Sequence, residues 1–130
     1  MKNIYTATFE QFDGDPKFYA RVPDLPGCAT SGKDLAEAIA MITDAANLWI
    51  ISAEDHDDPV LAPSDQNDIP LEPGMKCSYI QIDTFAYRAA HDTRAVRKNV
   101  SLPHWMAELA DKQKINCSQV LQDALLAKFT

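Results

Sequence analysis

The sequence has few of the features that mark a chemically armed chain. Its three cysteines, Cys28, Cys77 and Cys117, are odd in number and widely spaced. They form no Cys-x-x-Cys pair, and no pair of histidines lies near them to complete a zinc set. Reduced, partly buried thiols are therefore expected. The three histidines, His56, His91 and His104, are scattered, and none has a nucleophile beside it. No uninterrupted apolar run approaches the roughly 20 residues needed to span a bilayer. The start, Met1-Lys2-Asn3-Ile4-Tyr5-Thr6, alternates like a strand and lacks the continuous apolar core of a signal peptide. The expected location is the cytoplasm, with no membrane partner, no metal and no cofactor. No internal repeat is present.

What is present is an apolar content of 46%, enough for a folded core, and an uneven charge. Net charge is −7. Residues 1–90 hold 6 Lys+Arg and 15 Asp+Glu, a net −9, whereas residues 91–130 hold 6 and 4, a net +2. An acidic front suits a basic protein partner. The mildly basic tail would double its charge on dimerising, as nucleic-acid binding requires. Two domains are expected, 1–90 and 91–130.

The tail carries the sharper pattern. Arg97-Lys98-Asn99-Val100-Ser101-Leu102 reads as a short strand ended by Pro103, which suits the first turn of a helix. Alternation puts Val100 and Leu102 on one side and Arg97, Asn99 and Ser101 on the other. A helix with Trp105, Met106, Leu109 and Ala110 on one face follows. Asn116 is an N-cap with Gln119 three residues on, opening a second helix with the stripe Val120, Leu121, Ala124, Leu125 and Phe129. A lone strand before two helices has no sheet to join. Pairing with the same strand of a second copy would give a ribbon over four helices and display Arg97, Asn99 and Ser101 twice toward base edges.

This segment resembles the ribbon-helix-helix DNA-binding family, through Arg97–Leu102, Pro103 and the Asn116-Cys117-Ser118-Gln119 entry. The resemblance implies base reading by Arg97, Asn99 and Ser101. It also implies a phosphate clamp at the second helix's N-terminus, around Asn116 and Ser118, where free N–H groups and the helix dipole favour an anion. One departure is Lys98, at an inward position where many relatives are apolar; at the ribbon edge its stem would pack.

In the front, Ile4–Phe9 and Lys17–Val22 read as an antiparallel hairpin about an Asp13-Gly14-Asp15-Pro16 turn. Pro23–Gly27 forms a tight corner and Cys28–Thr30 a third strand. Asp34, with Glu37 three residues on, caps a long helix whose core face is Leu35, Ala38, Ile39, Ile42, Ala45, Ala46, Trp49 and Ile50, ending near Ser52. Residues 54–75, with four prolines, read as a long solvated loop. A further strand runs from Cys77 to Phe85, and Tyr87–Ala95 is the connector. The fold class is α+β: a small antiparallel sheet packed on one long helix, followed by a ribbon-helix-helix tail.

Tyr19-Ala20-Arg21-Val22-Pro23-Asp24-Leu25-Pro26-Gly27-Cys28-Ala29-Thr30, then Gly32 and the capped helix with Glu37 and Ala38, resembles the HicB-type antitoxin domain. The resemblance implies a partial RNase H-like fold without its catalytic set. It further implies neutralisation of a basic, RNA-cleaving HicA-type toxin by direct binding, and repression of the chain's own operon through operator DNA. A homodimer through the tail follows, and the free edges of the front sheet make a tetramer plausible. Two other readings stand beside it. One is a ribbon-helix-helix transcription factor with a different sensory front. The other is a metal-dependent nuclease built from front acids, for which Glu54-Asp55-His56-Asp57-Asp58 is the densest cluster. Turn, corner and cap roles already explain Glu10, Asp13, Asp15, Asp24 and Asp34, so no catalytic residue is expected.

Overall fold

The computed structural model describes all residues, 1–130. They divide into two compact units, Met1–Thr93 and Arg94–Thr130.

The front unit is a four-stranded antiparallel sheet in the order β3-β2-β1-β4, with one long helix against one face. β1 (Lys2–Glu10) and β2 (Phe18–Arg21) form the expected hairpin, with Phe9 opposite Ala20. β3 (Ala29–Gly32) adds at one edge, and β4 (Lys76–Asp83) pairs with β1 from Lys2 to Phe9 at the other. The Pro23–Gly27 corner is closed by backbone bonds from Leu25 N to Val22 O and from Cys28 N to Leu25 O. Gly27, at φ +81°, supplies the left-handed turn.

Helix α1 (Leu35–Asp55) starts where the sequence says it should, since Asp34 Oδ1 accepts the Glu37 N–H at 2.8 Å. Glu37 reaches back to the Lys33 N–H rather than to that of Asp34. The helix runs three residues past the expected Ser52. It ends with Asp57 in the left-handed region (φ 54°) and Asp58 N bonded to Ala53 O, a carbonyl-satisfying stop that aspartate tolerates better than most residues. Ala38, Ile42, Ala46 and Ile50 are buried against Tyr5, Ala7, Phe9, Val22, Leu25, Ile80 and Ile82. Gly32 lies where β3 meets α1, and a Cβ there would stand 2.4 Å from Ala38 N.

Thr6 and Thr8 are buried together with Tyr5, Ala7 and Phe9, so central strand β1 is enclosed on both faces. Three expectations need correcting. Residues 56–75 are irregular but anchored: Tyr5 Oη donates to Leu61 O at 2.8 Å, Ser64 N and Oγ both donate to Asp24, and Ile69 is buried. Strand β4 stops at Asp83, whose carboxylate caps a helix α2 (Thr84–His91) by accepting the Ala86 N–H. That helix occupies most of the expected connector. Finally, α1 is long and apolar enough to meet the length and composition of a membrane span, although its inner side packs on the sheet.

In the tail unit the expected strand Arg97–Leu102 is not formed in the single chain, since residues 94–103 have no strand partner to ladder with; α3 (His104–Lys112) and α4 (Cys117–Phe129) follow. Pro103 O accepts the N–H groups of Met106 and Ala107, and Lys114 (φ 53°) makes the turn between the helices.

Candidate protein and nucleic-acid interfaces

The tail has no buried residue at all. Val100, Leu102, Met106, Ile115 and Val120 are each between 41% and 59% exposed, yet they converge on one groove of about 460 Å³. Lys98, Val100 and Leu102 line that groove and Arg97, Asn99 and Ser101 do not. Alternate residues of the segment therefore face opposite ways, as in a strand. Its apolar side lies over α3 and α4, while the other side presents an arginine, an amide and a hydroxyl to solvent. Lys98 lies on the groove side, the position the sequence assigned to it.

At the mouth of α4, Asn116 Oδ1 accepts the Gln119 N–H at 3.1 Å. The reciprocal half of the capping box is absent, because the Gln119 amide donates to Asp123 instead. The N–H groups of Cys117 and Ser118 have no acceptor within the chain, which leaves donors for an external anion. Ser118 also lines the groove, so its hydroxyl sits beside the apolar cleft as well as at the helix end. His104 is exposed, within 3.2 Å of Glu108.

Several of the front acids have structural roles. Asp15 accepts from Tyr19 Oη and Lys17 N, and the tyrosine bond holds its carboxyl below the usual carboxylate range. Asp24 ties down Ser64. Glu54 and Asp55, from the densest cluster, lie in the last turn of α1 and share Arg88, at 3.3 and 2.9 Å. The bond to Asp55 foremost pushes that guanidinium further up. Nowhere do three His, Cys, Asp or Glu side chains gather as a cation site. Of the thiols, Cys28 is buried and raised in pKa by burial, Cys77 is half-buried, and Cys117 is exposed.

Helix α2, which sequence reasoning missed, is joined to α1 by polar contacts. Tyr87 Oη donates to Asp44 at 2.7 Å, and Thr84, fully buried, bonds Glu54 and the Met1 backbone. The Asp83-Thr84-Phe85-Ala86 cap was the available signal.

A family profile described as the HicB-like antitoxin of the bacterial toxin–antitoxin system matches residues 5–130. The chain belongs to that family. No curated protein matches the antitoxin's sequence. Among solved structures it is similar to a toxin–antitoxin complex from Streptococcus pneumoniae, with a TM-score of 0.63 and 24% identity over 98% of this chain and 99% of that one. The antitoxin HicB of Burkholderia pseudomallei gives a TM-score of 0.55 and 19% identity, covering 98% and 96%. A HicA3 and HicB3 toxin–antitoxin complex gives 0.52 and 21%, covering 62% of this chain and 98% of that one. At these identities the likeness is one of fold: a mixed α+β chain with a four-stranded antiparallel sheet.

Proposed function

We propose that this antitoxin works by stoichiometric binding, without turnover, and that its two units address two partners in the cytoplasm. The front unit binds a HicA-type, RNA-cleaving toxin. The tail pairs with a second copy and reads the operator of its own operon. The family match supports the first half, together with complexes among the structural relatives and a net charge of −9 over residues 1–90, suited to a basic protein.

The observation that carries the second half is the apolar groove of a tail unit with no buried residue. A segment this short cannot offset its ordering entropy without burying apolar surface. A second copy supplies that surface through its own Val100, Leu102 and helices. Two 97–102 segments then complete a ribbon and pair the backbone groups that a lone strand leaves open. On its far side Arg97, Asn99 and Ser101 reach base edges in the major groove. The free N–H groups at Cys117 and Ser118, with the Asn116 cap, hold a phosphate. Front sheets with free β3 and β4 edges allow a dimer of dimers.

Co-expression tests the toxin half directly. The antitoxin should restore growth to cells expressing its cognate toxin and co-purify with it in a fixed ratio, with RNA cleavage abolished. Growth arrest and free toxin despite folded antitoxin would contradict it. Arg97→Ala and Asn99→Ala should each cost about 1–3 kcal/mol of specific DNA binding.

A further inference from the structure

Helix α1 has two unlike sides. The inner side is the front core. The solvent side presents Ala36, Ala40, Met41, Asp44, Leu48 and Ser52, all exposed, with Met41 and Leu48 at 45% and 49%. A surface helix ordinarily carries charged residues opposite its core face. Here Asp44 is the only charge among the exposed positions until the last turn, where Asp55 is also exposed. Between Asp34 and Asp58 the chain has seven acids and no lysine or arginine.

Two alanines, at i and i+4, let a partner approach closely, and Met41 and Leu48, at i and i+7, have the spacing of apolar anchors on a helix laid in a groove. Between them Asp44 is held in place by the Tyr87 hydroxyl on Oδ1, leaving Oδ2 free for a donor. The surroundings are of one sign: Lys33 and Arg88 neutralise part of the rim, at Glu37 and at Glu54 and Asp55, and Asp57 and Asp58 have no cationic partner.

We propose that this face of α1 is where the toxin docks, as a basic protein presenting an apolar patch rimmed by lysine or arginine. The inference rests on the antitoxin reading above and gives it a place. Charge selects the occupant. A second copy of this chain would set acidic rim against acidic rim. The outer side of the sheet is less suited, since Arg21 stands there in one groove with Glu10 and Glu72.

The test uses the full chain and its cognate HicA-type toxin, with affinity from calorimetry and the oligomeric state from sedimentation. Met41→Lys/Leu48→Lys should weaken toxin binding by about 100-fold or more, with an unchanged unfolding midpoint, because both positions are on the surface. Asp44→Asn should weaken it less, by about tenfold, and Glu10→Lys/Glu72→Lys should bind like wild type. Wild-type affinity in the α1 double variant overturns the proposal, as does a loss confined to the Glu10/Glu72 variant. A variant that instead changes the antitoxin's own sedimentation would make the occupant a second copy, which also overturns it. No binding by wild type would refute the antitoxin reading itself, a separate outcome.

Discussion

Replacing Leu102 by alanine should weaken the proposed tail dimer without touching the front unit. In the single chain Leu102 is 46% exposed and lines the tail groove. Fully burying a leucine is worth about 1.5–3 kcal/mol, so covering the remaining half contributes about 1 kcal/mol. Each dimer loses it twice, about 2 kcal/mol in all, which is about 30-fold in the dissociation constant. Any cavity left behind adds to that. Sedimentation equilibrium or energy transfer between labelled copies, at fixed salt, measures the constant. Ile42→Ala is the matching control: Ile42 is fully buried under the front sheet, so its truncation should cost the front unit about 2–5 kcal/mol and leave the dimer constant alone. An unchanged constant in Leu102→Ala would refute the argument that the groove is a dimer seam. So would an equal loss in Ile42→Ala.

Other expected outcomes follow from single contacts. Gly32→Ala puts a Cβ 2.4 Å from the Ala38 backbone nitrogen. Neither backbone can give way cheaply, so the front should lose about 1–3 kcal/mol, visible as a lowered unfolding midpoint in circular dichroism. Tyr87 and Tyr19, through hydrogen bonds to Asp44 and Asp15, and Tyr5, mainly through burial, have phenol pKa values raised in the fold. The folded state thus holds protons that the unfolded chain releases near pH 10. This stabilisation is complete below that pH and is lost as pH rises through the folded values. Denaturant midpoints at pH 9 and pH 11 check the sign, and an increase at pH 11 would contradict it. In the single folded chain Cys117 is exposed and should react with a thiol reagent, more slowly as concentration drives a second copy over the groove it lines, whereas Cys28, buried and with its thiolate disfavoured, should wait for unfolding. Mass spectrometry of partly labelled protein reads the order.

Much of the front was legible because its signals are local. The Asp34 cap and the spacing Ala38, Ile42, Ala46, Ile50 locate α1 within a few residues of its true end. Helix α2 was not legible, because Thr84 is its only buried residue and its hold on α1 runs through Tyr87–Asp44 and Arg88. A helix fixed by polar contacts leaves no apolar stripe to read. The order in residues 56–75 was hidden for a different reason. Tyr5–Leu61 and Asp24–Ser64 join positions 56 and 40 residues apart, and no local pattern encodes such pairings. In the tail the alternation of 97–102 suggested a strand, but the single chain forms none there, because a ladder is a property of two strands.

The claim that one chain joins a toxin-binding front to an operator-reading tail is tested most directly by fluorescence anisotropy on DNA from upstream of its own gene. Wild type and Arg97→Ala/Asn99→Ala are compared, with and without toxin, against scrambled DNA at several salt concentrations. The account predicts selective, salt-dependent binding by wild type, loss of that selectivity in the double variant, and equal toxin inhibition by both. Operator binding in the double variant equal to wild type, with and without toxin, would contradict it.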